Sequence, residues 1–153
     1  QYRHTLIDNL RKAAHFFAPY HILVTFEAVN TRDMPDFIIH SSQQMLDVIS
    51  EVAHDNLKMQ FDIYHMQIMD GRVDECIKQH GHLIGHIQFA DVPGRGEPFT
   101  GQLNFAKIFA DIRDSDYRGY VAAEYKPTVA SKDSVGWMQQ LDLAWLATQA
   151  NVK

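Results

Sequence analysis

The sequence predicts a parallel α/β fold of the (β/α)8 TIM-barrel type, present as half a barrel: a leading helix and four βα units. Three observations carry that expectation. Short apolar runs rich in β-formers alternate with segments whose apolar residues recur at helical spacing. The alternation has a period of about thirty residues, the length of one βα unit. Each run also closes on an oxygen-bearing side chain, Glu27, Asp62, Gln88 or Glu124, at separations of 35, 26 and 36 residues.

Taken in order, Tyr2, Leu6, Ile7, Leu10, Ala13, Ala14 and Phe17 form one helical stripe, closed by Pro19. His21–Ala28 reads as a buried strand ending at Glu27, followed by a loop through Asn30, Asp33 and Pro35. Ser41 or Ser42 caps a helix that carries Met45, Leu46, Ile49, Val52 and Ala53 inward. Lys58–Tyr64 is the second strand, and Asp70-Gly71 turns the chain into a helix with Val73, Cys76 and Ile77 on its core face. Gly81 suits the left-handed residue after that helix. Leu83–Phe89 is the third strand, with a Gly/Pro-rich loop running to about Gln102. Asn104 caps a helix packed through Phe105, Ile108, Phe109 and Ile112. Tyr120–Tyr125 is the fourth strand, and a last helix over about Asp133–Ala150 presents Val135, Met138, Leu141, Trp145 and Leu146. No linker divides the 153 residues, so residues 1–153 are expected to form a single partial barrel domain.

Composition narrows the function. A net charge of −5 argues against nucleic-acid and membrane-surface partners. The lone cysteine, Cys76, forms no internal disulfide, and no apolar run is long enough to span a bilayer, so a cytoplasmic location is expected. The first residue is Gln1 and already lies in a helical pattern, so the chain is read as part of a longer protein.

Strand parity ties the four oxygen-bearing residues together. If they point inward, so do Leu23, Thr25, Gln60, His86 and Ala122, while Phe26, Phe61, Ile87, Phe89 and Ala123 face the helices. Barrel active sites lie at the C-terminal strand ends. Three carboxylates and an amide converging there repel one another unless a cation joins them, and all-oxygen donors favour Mg²⁺ or Mn²⁺. Glu27, Asp62, Gln88 and Glu124 are therefore the candidate metal ligands; an isolated strand-end carboxylate is otherwise a cap or a solvated loop residue. His65, three residues past Asp62, is placed to hydrogen-bond a substrate oxygen, with a plain loop histidine as the alternative. Arg95 can clamp a carboxylate, or sit exposed in its loop. Lys126 shares the parity of Glu124 and can meet an anion, or point to water. Asp91 is assigned a loop-shaping role.

The segments Gln60-Phe-Asp-Ile-Tyr-His65, Gly85-His-Ile-Gln-Phe-Ala-Asp-Val-Pro-Gly-Arg-Gly-Glu-Pro98, Glu124-Tyr-Lys-Pro127 and Glu27-Ala-Val-Asn-Thr-Arg-Asp-Met-Pro35 resemble the hydroxypyruvate isomerase family. That family is one of the xylose isomerase-like barrels. The resemblance runs from Tyr2 to Gly136 and aligns the chain with the C-terminal half of the family. It implies a divalent metal on Glu27, Asp62, Gln88 and Glu124, proton transfer by Glu27 and Glu124, and substrate contacts from His65 and Arg95. Gln102 departs from the glutamate that family members more often carry. The activity implied is interconversion of hydroxypyruvate and tartronate semialdehyde, or of a close 2-oxo acid, through an enediolate. A sugar 3-epimerase or ketose isomerase on the same scaffold is the alternative, acting on a small hydroxy acid, oxo acid or sugar. A zinc-dependent DNA-repair endonuclease fits less well, since it needs His-rich ligands and a basic face. A half-barrel also exposes two open strand edges, which predicts self-association and an inactive fragment as a further alternative.

Overall fold

The computed structural model describes residues 2–141. In chain order these form α1 (Tyr2–Phe17), β1 (Val24–Glu27), α2 (Ser42–Val52), β2 (Leu57–Asp62), α3 (Ile63–Met69), α4 (Val73–His80), β3 (Ile84–Phe89), α5 (Phe105–Asp114) and β4 (Val121–Ala123). Short 3₁₀ turns cover Ala18–Tyr20, Gly81–Leu83 and Ser134–Gln140. The strands lie in sequence order β1-β2-β3-β4, each parallel to the next, as alternating βα units require.

Strand alternation divides the sheet into two faces. Met59, Phe61, Ile87 and Phe89 are buried on the helix side. The Phe89 ring meets Phe109, Trp137 and Phe105 at centroid distances of 5.2, 5.5 and 5.8 Å. Each such side chain contributes roughly 1.5–3 kcal/mol by leaving water. Thr25, Gln60, His86 and Gln88 are half-buried on the opposite face. Along β2 and β3 the inward and outward sets follow the predicted parity, whereas Ala123, expected on the helix side, is exposed, and Leu23 lies outside β1 and is exposed.

The helix caps form locally. Ser41 Oγ accepts from Gln44 N–H, and Asn104 Oδ1 accepts from Lys107 N–H, each satisfying a first-turn donor. The second strand stops at Asp62, short of the predicted Tyr64, because the Asp62 carboxylate accepts from Tyr64 N–H and caps α3. That helix starts on Ile63-Tyr64, residues that read as strand in isolation. β1 likewise starts at Val24 rather than His21. His21 adopts a left-handed φ of 56°, and Ile22 and Leu23 are exposed.

Gly81 is right-handed, with φ −52°, so its predicted left-handed role is corrected. A Cβ there would lie 3.0 Å from Tyr117 N and 3.1 Å from Ser115 Oγ, so close approach accounts for the glycine. The last predicted helix falls largely on residues outside those described, Trp145 and Leu146 among them. In the described part, Leu141 packs on the core as expected and Trp137 joins it, whereas Val135 and Met138 are exposed rather than inward. Among the described residues no helix is long and apolar enough to cross a membrane.

Candidate active site at the C-terminal strand ends

Each strand delivers its polar residue to the same end of the sheet. Glu27 closes β1, Asp62 closes β2, Gln88 is the penultimate residue of β3, and Glu124 follows β4, its N–H donating to Phe89 O. Register places Gln60 beside Glu27, and Gln88 beside Asp62. Gln60 exploits this position: its Nε2 donates to Glu27 Oε2 at 3.1 Å and to Gln88 Oε1 at 2.6 Å.

The loop after β3 brings the fifth member, and Asp91 is its anchor. Fully buried, this carboxylate accepts from Val92 N–H at 2.8 Å, Gly101 N–H at 2.8 Å and Leu103 N–H at 3.0 Å. Gly101 must be bare, since a Cβ would fall 2.2 Å from Val92 O and 2.6 Å from Asp91 Oδ1. Asp91 N–H also donates to Gly96 O, which pins the far side of the turn that holds Arg95. From a left-handed backbone (φ 59°), Arg95 reaches back over the strand ends. Its Nη2 is 3.2 Å from Asp62 Oδ2 and 2.7 Å from Glu124 Oε2, and its guanidinium lies over the Tyr64 ring at 5.3 Å.

Sequence reasoning left Arg95 either exposed or free to clamp a substrate; the structure gives it to two carboxylates. It therefore supplies a cation that the convergence of acids calls for. Lys126 is exposed, and the contact it makes here is through its backbone, N–H to Arg95 O at 2.7 Å. His65 is buried in the first turn of α3. Its Nε2 faces Asp62 Oδ2 at 3.6 Å and Glu27 Oε1 at 4.0 Å, and its Nδ1 meets the backbone N–H and the carboxamide of Asn30.

Asn30, Tyr64 and Asp33 were not singled out from the sequence, yet they frame the site. Tyr64 OH donates to Asp33 Oδ2 at 2.8 Å, and Asn30 Nδ2 donates to the same oxygen at 3.0 Å. The Asn30-to-Asp33 spacing is an Asx-turn signal, legible in principle. Tyr64 gave none.

Burial and like charge set the protonation of the row. Burial pushes the Glu27 carboxyl up to about 7, with Asp62 and Glu124 adding to the rise. Burial also raises Asp62 to about 6, against the opposing pull of Arg95. His65 is held down to about 4 by burial and by Arg95, so its ring is neutral near pH 7.

The Glu27 shift has a stability consequence. Because the folded chain holds this proton more tightly than the unfolded one, folding stability falls as pH rises from the ordinary value of 4.5 to about 7. Glu27→Gln removes that cost. Its stability relative to the parent is expected to grow by on the order of 2 kcal/mol between pH 4 and pH 8, read from denaturation midpoints. A difference that stays flat with pH would contradict the raised carboxyl.

A divalent cation fits this chemistry. Ligand atoms of Glu27, Asp62 and His65 lie within 4.8 Å of one another; Gln88 shares the Gln60 amide with Glu27, and Glu124 shares Arg95 with Asp62. Such a cation relieves the repulsion and desolvation that raise Glu27 and Asp62.

Comparison with known proteins agrees with this architecture. Residues 1–141 match the family model described as xylose isomerase-like TIM barrel. Hydroxypyruvate isomerase of Escherichia coli (strain K12) is 43% identical over 134 residues, covering 88% of this chain and 52% of that protein. A 2-oxo-tetronate isomerase of Pectobacterium atrosepticum is 38% identical over 138 residues, covering 90% of this chain and 53% of its own length. The crystal structure of an AP endonuclease, family 2, from Brucella melitensis superposes with a TM-score of 0.87 at 36% identity, over 90% of this chain and 54% of that one. The chain spans about half the length of the relatives it matches.

Proposed function

Since the chain belongs to the xylose isomerase-like TIM-barrel family, we propose that it carries the catalytic face of an isomerase interconverting hydroxypyruvate and tartronate semialdehyde, or a close 2-oxo acid. The observation that carries this reading is the row of strand ends. Glu27 ends one outer strand and Glu124 directly follows the other, with Asp62 and Gln88 between them and His65 and Arg95 at their edge.

The reaction moves a hydrogen from the hydroxyl-bearing C3 to the neighbouring carbonyl carbon C2. One of Glu27 and Glu124 takes the C3 proton, leaving an enediolate, and one of them returns a proton to C2, while the O3 hydroxyl proton passes to O2, so that C3 becomes the aldehyde and C2 the carbinol. His65 hydrogen-bonds a substrate oxygen. Arg95 has five N–H donors, enough to hold the substrate carboxylate while keeping Asp62. Lys126 adds positive charge at the rim. The oxygens of Glu27, Asp62, Gln88 and Glu124 are the donor set for Mg²⁺ or Mn²⁺, which when bound supplies charge opposite the developing enediolate. Loss of turnover on replacing Glu124 tests the reading.

The name of the Brucella relative points to nucleic acid. A net charge of −5 and an acidic row at the strand ends oppose that partner here.

In the described sheet, β1 and β4 each pair on one side only, and Leu23 and Tyr120 beside them are exposed. The isolated chain closes these edges against a second copy of itself. Light scattering is expected to report dimers or larger species, and a monodisperse monomer would contradict this.

A further inference from the structure

We propose that Asn30 is a positioning residue that fixes the His65 ring as its Nε2–H tautomer, making His65 a hydrogen-bond donor to substrate and excluding it from metal ligation. The consequence for substrate rests on the isomerase reading; the tautomer does not.

Two donors converge on His65 Nδ1. The Asn30 backbone N–H lies 3.2 Å away, and it can only donate. The Asn30 carboxamide lies 2.7 Å away, and its orientation is set by the other end of the group. There, Oδ1 accepts from Arg32 N–H at 3.1 Å and Asp33 N–H at 2.8 Å, contacts an NH₂ group cannot make. The NH₂ end must therefore face His65 and Asp33 Oδ2, the latter a pure acceptor at 3.0 Å. With two N–H groups aimed at it, Nδ1 carries the lone pair, and the proton of the neutral ring resides on Nε2.

Nε2 points between Glu27 and Asp62, at 4.0 and 3.6 Å, longer than hydrogen bonds. An N–H there can serve an oxygen placed between the two carboxylates. It offers no lone pair to a cation. Proximity groups Glu27, Asp62 and His65 as a metal cluster; the tautomer removes His65 and leaves the oxygen donors of the strand ends. Asn30, Asp62 and His65 are all buried, so water does not easily exchange these roles.

The test is nitrogen-resolved NMR of the histidine-labelled chain at neutral pH, with the His65 ring assigned by its loss in His65→Gln. The expected spectrum has a bare Nδ1 and a protonated Nε2, and Nε2 keeps its proton when Mg²⁺ is added. A protonated Nδ1 in the parent, or loss of the Nε2 proton on adding Mg²⁺, would overturn the proposal. Asn30→Asp retains the acceptors for Arg32 and Asp33 N–H but replaces the NH₂ donor with an acceptor, and is expected to move the ring population toward Nδ1–H. An unchanged ring in that variant would overturn the role of the carboxamide; the parent spectrum stands as a test without any variant. Absence of hydroxypyruvate turnover together with the expected spectrum would count against the isomerase reading alone, so the two failures are distinguishable.

Discussion

Glu124→Gln is expected to lower hydroxypyruvate turnover by about 10²–10⁴-fold, the usual contribution of a positioned general acid or base, while leaving the fold intact. The two halves of that expectation have separate grounds. Glu124 lies beyond β4 with its side chain 52% exposed, and its partner is Arg95 at 2.7 Å. Ion pairs this open contribute about 0–1 kcal/mol, and the amide keeps both the shape and an oxygen for the guanidinium. Stability should therefore hardly move. Proton transfer cannot survive, because an amide neither takes nor returns a proton near neutral pH. Turnover close to the parent's would remove Glu124 from the mechanism. Glu27→Gln should lose turnover alike.

Asp91→Ala is expected to have the largest structural effect, on the order of 2–4 kcal/mol, since the buried Val92 N–H and the part-buried N–H groups of Gly101 and Leu103 lose their acceptor, and a fully buried orphan costs about 1–3 kcal/mol. The damage should reach the site, because the Asp91–Gly96 pairing holds the turn that projects Arg95 over Asp62 and Glu124. Asp91→Asn should fall between: its oxygen can still serve Val92 and Leu103, but its NH₂ would face the Gly101 N–H. Chemical denaturation reads both variants. A midpoint for Asp91→Ala within error of the parent's would show that the loop does not depend on this carboxylate.

How far the sequence carries the site depends on the range of the signal. Period-two alternation within Leu57–Asp62 and Ile84–Phe89 is local, and it correctly assigned Phe61, Ile87 and Phe89 to the helix face and Gln60 and Gln88 to the other. The repeat of a polar residue at each strand end survives because parallel strands in sequence order deliver their ends to one side. Ser41 and Asn104 were legible as caps for the same local reason. What escaped was set by contacts distant in sequence. One local exception is the helix that starts at Ile63, which depends on the Asp62 carboxylate two residues before Tyr64, a group assigned to the site. Gly81 owes its identity to Tyr117 and Ser115, more than thirty residues on. Arg95 finds Asp62 and Glu124 only because a folded loop aims it there, and the Asn30–His65 pairing spans 35 residues. Residue type and spacing place groups at a strand end; which group faces which is decided by the loops.

Deuterium exchange at C3 of hydroxypyruvate tests most directly whether the strand-end row abstracts a proton. In D₂O with Mg²⁺ or Mn²⁺ present, proton NMR is expected to show the protein accelerating loss of the C3 hydrogens, with Glu27→Gln and Glu124→Gln returning the rate toward background. Exchange at the background rate with the parent protein, or undiminished exchange in both variants, would contradict an enediolate formed by these two carboxylates.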